Sequence, residues 1–416
     1  MGSPAELDHR SEPIGGCAHP DSTDWKKLQK IQTVKPSEFT EAAPGKLVTI
    51  ENGWAFVPDR LGPKPPMTWD LAALLDAASR RLGELVGQAR LINNEQLVMG
   101  PLLTREAVES NRIEGTHTLI EEVLLQRSAG PPRDRERAEA NLEVLRYVET
   151  LHKGREAISD GQPWSTYFIR ALHQDLLQGT RGADKDPGRF RGKLVGIGRK
   201  GDSPEEARYI PPPPEYVPDL MQNLVHYAET ATDVPPLVAA ALIHYQFEAI
   251  HPFEDGNGRL GRLLIPLYLL SAGAVDRPII YLSSYFESRR DEYYDLLKAV
   301  STHGDWSAWV QFFLRAVIHQ ATDARTRVEN LLTLRADYSR RVEAASKSQA
   351  ALTALNVVIE RVYVTAPEIA AAIGRDYRTA KGALETLTKL GIVRQLPGSY
   401  PLRWVAAELI DAIYAA

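Results

Sequence analysis

His251-Pro252-Phe253-Glu254-Asp255-Gly256-Asn257-Gly258-Arg259-Leu260-Gly261-Arg262 is the stretch of this chain with the residue types and spacing of a reaction centre. His251 can take a proton near neutral pH, and Asp255 offers a hard oxygen ligand for Mg²⁺. A Gly-Asn-Gly loop that opens a helix presents backbone N–H groups to an anion, and the helix dipole adds to the attraction. Arg259 and Arg262 stand three apart, so the spacing sends both guanidinium groups from one face of that helix. Base, metal ligand, anion nest and two cationic clamps together suit phosphoryl or nucleotidyl transfer.

Two helices must position this centre. Leu237, Val238, Ala241, Leu242, Tyr245 and Ile250 recur at helical spacing, and Pro252 stops that helix because a proline pushes the preceding residue out of the helical region. A second apolar helix is expected from Arg259 through Leu270. The alternative, a hairpin turn at Asp-Gly-Asn-Gly with solvated arginines, would need strands on either side, and the flanks read as helices.

The pattern His-Pro-Phe-x-Asp-Gly-Asn-Gly-Arg-x-x-Arg resembles the signature of Fic-domain proteins at every fixed position. The resemblance implies an all-α Fic core that transfers AMP from ATP to a hydroxyl side chain of a protein and releases pyrophosphate. It implies that His251 is the general base on the target hydroxyl and that Asp255 holds Mg²⁺. Gly256, Asn257 and Gly258 would cradle phosphates, the Asn257 side chain adding a contact, while Arg259 and Arg262 would neutralise the outer phosphates. Gln246, about a turn and a half before His251, is expected on the nucleotide cleft. Family members commonly carry Asn in the segment where this chain has Ser288-Arg289-Arg290, and Arg289 is the expected nucleotide contact there.

A second stretch, Ser110-Asn111-Arg112-Ile113-Glu114-Gly115, ends a helix expected from Arg105 to Ile113 and capped by Gly115. Alone it reads as a solvated helix end. Beside the motif it resembles the inhibitory helix of Fic proteins, Ser/Thr-x-x-x-Glu-Gly/Asn, through Ser110, Glu114 and Gly115. The Glu114 carboxylate would then pair with Arg262 and occupy the space of the γ-phosphate.

The family leaves several activities open. Gly258 argues against the toxin branch that carries Lys there and phosphorylates with ATP reversed. Removal of AMP, transfer of UMP or phosphocholine, and a DNA-binding regulator with a decayed core remain as alternatives.

The chain has 416 residues and a formal net charge of -5, which argues against nonspecific coating of nucleic acid. One cysteine, Cys17, excludes an internal disulfide framework and a cysteine-based zinc cluster. No apolar run spans a bilayer and residues 1–30 show no secretory pattern, so the expected location is cytoplasmic.

The expected order is an arm at 1–60 with a small strand pair, a helical segment at 61–155, the Fic core at 160–320 and a C-terminal winged helix-turn-helix at 345–416. Between them, Gln320 to Lys347 reads as a helical connector. Lys193–Ile197 and Arg208–Ile210 are expected to pair as a β-hairpin, which in the family is a flap where a target segment adds as a strand. The expected partners are a hydroxyl-bearing protein or the chain itself. A homodimer, or DNA held through Arg375, Arg378 and Lys381, remains an open alternative.

Overall fold

The computed structural model describes residues 35–51, 53–62, 66–90, 96–198, 208–345, 348–397 and 399–414. Cys17 with the rest of 1–34, Pro63 to Pro65, and the hairpin loop at 199–207 lie outside the described residues.

The core grows around two helices, α7 (Pro236–Ile250) and α8 (Asn257–Ser271). Nearly every residue of both is buried. A helix apolar on all sides must be enclosed, and here the enclosing elements are α2 (Gln96–Ile113), α4 (Arg135–Ser159), α5 (Thr166–Leu177) and α6 (Val217–Thr230). α9 (Ser283–Ser288), α10 (Arg290–His303) and α11 (Trp306–Ala345) close the far side. Trp309, Phe312, Phe313 and Phe286 fill the space between α11, α9 and the centre.

α11 runs unbroken for 40 residues, joining the expected last core helix to the expected connector. No Gly or Pro interrupts it. The shift from apolar to charged residues near residue 320 marks a change in what covers the helix, and α11 packs most extensively on α1 (Trp69–Arg90).

α2 is fastened rather than draped. Glu106 accepts from the Ser283 N–H at 3.0 Å, the Ser283 hydroxyl at 2.6 Å and the Tyr147 hydroxyl at 3.0 Å. Arg105 pairs with Asp323 on α11 at 2.6 Å. Gly115, with φ of 77°, turns the chain out of α2, and the Thr116 N–H returns to the Asn111 carbonyl.

Strands β1 (Gly45–Ile50) and β2 (Gly53–Pro58) form the antiparallel pair expected in the arm, in register from Gly45–Pro58 to Ile50–Gly53. The expected hairpin at 193–210 is reduced, among the described residues, to one antiparallel bridge between Ile197 and Tyr209. Ile210 gives its carbonyl to Phe56 of β2 instead. Pro211 to Pro214 then lack the N–H groups that a longer ladder needs.

The C-terminal residues form α12 (Gln349–Arg361), β3 (Tyr363–Thr365), α13 (Ala366–Ile373), α14 (Tyr377–Lys389), β4 (Arg394–Gln395), β5 (Arg403–Val405) and α15 (Ala407–Tyr414). The sheet order is β3-β5-β4, antiparallel throughout. Thr365 and Glu368 close a capping box at the start of α13. This unit packs Val362, Tyr363 and Val405 on Leu124 of α3 (Ile120–Ala129), next to the end of α2.

Candidate active site

α7 ends at His251, whose φ of 49° and ψ of 63° place it in the left-handed region. Pro252 bars the helical conformation, and a non-glycine residue in this region costs on the order of 1–3 kcal/mol. Arg191 holds the turn. Its Nε donates to the His251 carbonyl at 2.8 Å and its Nη2 to the Ile250 carbonyl at 3.3 Å, while its N–H reaches the Pro252 carbonyl at 2.9 Å. Arg191 is 3 % exposed, and burial lowers its pKa to about 10, so it stays charged at neutral pH. Nothing in the sequence marked Arg191 for this work, because its partners are backbone carbonyls some sixty residues away.

The His251 imidazole is neutral. Burial lowers its pKa to about 4, Arg191 adds to the effect, and Glu114 with Asp255 opposes it. The sequence placed this base near its operating pH; the structure places it lower, with Nδ1 buried and without a partner. An anion bound beside it would raise the value again.

After His251 the loop is stitched internally. Asn257 Oδ1 accepts from the Phe253 N–H at 2.9 Å and Nδ2 donates to the Phe253 carbonyl at 2.8 Å. The expected contact of this side chain with phosphate is therefore corrected: it closes the loop. The Gly256 N–H donates to Asp255 Oδ1 at 2.6 Å, so one of the three amides expected in the nest is already engaged. Asn257 and Gly258, first in α8, keep amides with no intrahelical acceptor. His173 supports the loop from α5, accepting the Gly188 N–H on Nδ1 at 2.8 Å. Its proton therefore sits on Nε2 and donates to the Asp255 carbonyl at 2.9 Å, with the ring stacked 3.7 Å from Phe253.

The two arginines of α8 part company. Arg262, buried, donates from Nε to Ser110 Oγ at 3.0 Å and from Nη2 to the Ser110 carbonyl at 2.9 Å and Glu114 Oε1 at 2.7 Å. Arg259 lies 3.3 Å from Asp255 Oδ1 and 3.5 Å from Glu143 Oε2. Glu143, also buried, accepts from Arg181 at 2.7 Å and from the Thr116 hydroxyl at 2.9 Å. Burial pushes the Glu114 carboxyl up and Arg262 more than reverses that, so Glu114 stands below its ordinary value and is ionised.

His251, Gly258, Arg262 and Glu114 line a cavity of about 820 Å³, together with Glu248, Arg290, Tyr293 and Tyr294. Of the other residues expected at the site, Ser110, Gln246, Asp255, Gly256, Asn257, Arg259 and Arg289 are not among those that line it. Gln246 is 1 % exposed and donates to the Asp59 carbonyl at 2.8 Å, tying α7 to the strand pair instead of lining the cleft. Arg289, between α9 and α10, faces solvent with its guanidinium 4.1 Å from the Tyr285 ring centre. Its neighbour Arg290 is the one that reaches the cavity.

Asp255 suits a hard cation: its carboxyl is 45 % exposed and Oδ2 rests against Gly182, where a Cβ would come within 2.5 Å. Among the described residues no three acidic, histidine or cysteine groups converge on one point. Magnesium commonly takes one or two carboxylates and completes its shell with water and substrate phosphates, so a single Asp is a fitting donor.

The chain matches the Fic/DOC family over residues 163–269 and the Fic/DOC family N-terminal region over residues 72–156. A probable protein adenylyltransferase of Aquifex aeolicus is 33 % identical over 85 residues, 20 % of this chain and 27 % of that protein. Protein adenylyltransferase Fic of Drosophila mojavensis is 36 % identical over 142 residues, 34 % of this chain and 24 % of that protein. The chain thus spans about a quarter of the length of these relatives. A crystal structure of a Fic family protein from Desulfovibrio desulfuricans G20 shares the fold, with a TM-score of 0.52 at 22 % identity over 83 % of this chain and 98 % of that one.

Proposed function

We propose, for a chain that belongs to the Fic/DOC family through residues 163–269 and 72–156, that it is a protein adenylyltransferase held in check by Glu114. The target hydroxyl oxygen attacks the α-phosphorus of ATP, the bond to the bridging oxygen breaks, and pyrophosphate leaves. The hydroxyl proton passes to His251, whose imidazole burial keeps neutral. Mg²⁺ at Asp255 would supply charge to the phosphates. The α8 amides and Arg262 would offset the charge of the triphosphate, contacts that count for more in a water-poor site.

One observation carries the reading: the neutral His251 and the cationic Arg262 line the same cavity at the mouth of a helix. Glu114 occupies Arg262 in that cavity, which supports its assignment as inhibitor. Target proteins, or the chain itself, supply the hydroxyl. Incubation with ATP labelled at either the α- or the γ-phosphate tests the assignment. Label should pass to protein from the α position alone; transfer from the γ position would make the enzyme a kinase.

We read the chain as an arm to residue 60, an inhibitory helical segment at 61–155, a catalytic core at 160–320 and a winged helix at 345–416, with α11 spanning the last boundary. The helix–turn–helix of α13 and α14 beside the sheet β3-β5-β4 supports the winged-helix assignment.

A further inference from the structure

Glu248 stands on α7 one turn before His251, outside the signature that drew attention to this region. Its side chain lines the cavity with Arg262, Glu114, Tyr293 and Tyr294. Oε1 is buried with no hydrogen-bond partner, lodged where a Cβ on Gly261 would collide with it. Gly258 and Gly261, one turn apart on α8, thus each make room for a carboxyl group, Glu114 at the first and Glu248 at the second. Glu114 is ion-paired to Arg262; Glu248 has no ion pair among the described residues.

We propose that Glu248 is a positioning residue that meets the nucleotide as a neutral carboxylic acid, donating a hydrogen bond to an oxygen of its phosphate chain, so that nucleotide and proton bind cooperatively. The inference rests on the nucleotidyl-transfer reading and adds to it a residue and a proton. A buried, unpaired carboxyl in the wall of an anion site has two states. Ionised, it repels phosphate; protonated, it is a donor that costs no charge repulsion.

The surroundings favour the second state. Burial raises the Glu248 carboxyl, Arg262 opposes and Glu114 adds, leaving it at about 8. The groups that face it are Arg262 from α8, Glu114 from the end of α2, Tyr293 and Tyr294 from α10, and His251 on its own helix. Burial keeps both tyrosines protonated and His251 neutral. Arg262 and Glu114 are the charges that bear on Glu248 and act in opposite senses, with Arg290 a further cation of the cavity wall. When a phosphate takes the place of Glu114 on Arg262, at least as much negative charge faces Glu248, and its proton is held more firmly. Linkage is reciprocal: the held proton strengthens nucleotide binding by the same factor.

Calorimetry on the full chain with Mg·ATP tests this. Titrations at about pH 8.5, in buffers of differing ionisation enthalpy, count protons taken up at a pH where the phosphates are already ionised. The unsubstituted chain should take up roughly half a proton or more per nucleotide, and its affinity should fall roughly tenfold between about pH 7.5 and 9.5 as the competent fraction shrinks. Glu248→Gln, neutral at every pH, should take up none and show a flat affinity over that range. Glu248→Ala, which needs no amide to fit the notch, should also lose the uptake. Equal uptake in all three chains, or parallel pH profiles, overturns the proposal while leaving nucleotide transfer standing. Absence of nucleotide binding by the unsubstituted chain at every pH overturns both.

Discussion

Glu114 and Arg262, 148 residues apart, are joined by a 2.7 Å ion pair in which the arginine side chain is 1 % exposed and the carboxylate 35 %. The asymmetry matters. Arg262 is also held by Ser110 through two further hydrogen bonds, so the cation is fixed and the anion is the movable partner. A Cβ at position 258 would strike Glu114 Oε1, so the glycine of the signature leaves room for this carboxylate. Losing one partner of a buried pair leaves an uncompensated charge, which favours replacement by another anion over simple departure.

His251→Ala should abolish AMP transfer and leave nucleotide affinity within about twofold, since the ring acts on the target hydroxyl. Transfer needs the neutral imidazole, so the rate should rise with pH through the His251 pKa, which is about 4 in the free site and higher beside bound phosphate. Labelling with α-labelled ATP at a series of pH values measures both. Retained labelling in the mutant would remove His251 from the role of base.

Arg191→Ala should lower both turnover and stability. It strips donors from the carbonyls of His251 and Ile250 in a buried turn, a loss of roughly 2–4 kcal/mol. Arg191→Lys should rescue poorly, because one ammonium cannot reproduce the fork that reaches several carbonyls. Thermal unfolding and labelling rates check this together; a lysine variant with full stability and turnover would show that the fork is not required.

Protonation of the buried histidines should work against the fold in acid before the ion-paired carboxylates protonate. His173 at about 4, His244 at about 3 and His251 at about 4 are all depressed by burial from 6.5. A histidine with a depressed folded pKa contributes stability above its unfolded value and loses it as pH falls through the folded one, since the unfolded chain binds the proton first. The window therefore opens near pH 6.5 and extends to about 4 for His173 and His251 and to about 3 for His244. Ion-paired carboxylates such as Asp323, lowered from 3.8, begin to add their loss only below that value. His244→Gln should flatten the thermal midpoint between pH 6.5 and 4.5; an unchanged slope would mean these rings titrate normally.

Asp255→Ala should weaken Mg²⁺-dependent ATP binding and transfer together, the cation being the largest local charge in a phosphate site. Activity that survives EDTA in the unsubstituted chain would contradict a metal at this carboxylate.

How legible this site was depended on the range of the signals. His251, Gly258, Arg262, Ser110 and Glu114 lie in two short stretches of fixed spacing, and all five meet. The elements that carry them read well, since α7 and α8 are long apolar stretches with a Pro or Gly at each junction. Arg191, Glu143, His173 and Glu248 were not legible, because each acts through backbone groups or neighbours that the fold alone brings near. Asn257 and Gln246 misled for a related reason: an amide is equally suited to a ligand and to a backbone, and here each serves the backbone. Arg289 failed by one residue, the outward end of α9 against the inward start of α10.

The ion pair itself gives the most direct measurement. Glu114→Gly should free Arg262 for the γ-phosphate, and self-labelling with AMP from α-labelled ATP should rise well above the unsubstituted chain across a range of ATP concentrations. Arg262→Ala breaks the same pair but removes the clamp, so it should lower labelling. In the double mutant the loss should dominate, a non-additive outcome for two groups acting on one phosphate. If Glu114→Gly labels no better than the unsubstituted chain at any ATP concentration, the end of α2 is not an inhibitor and the 2.7 Å pair is only a structural contact.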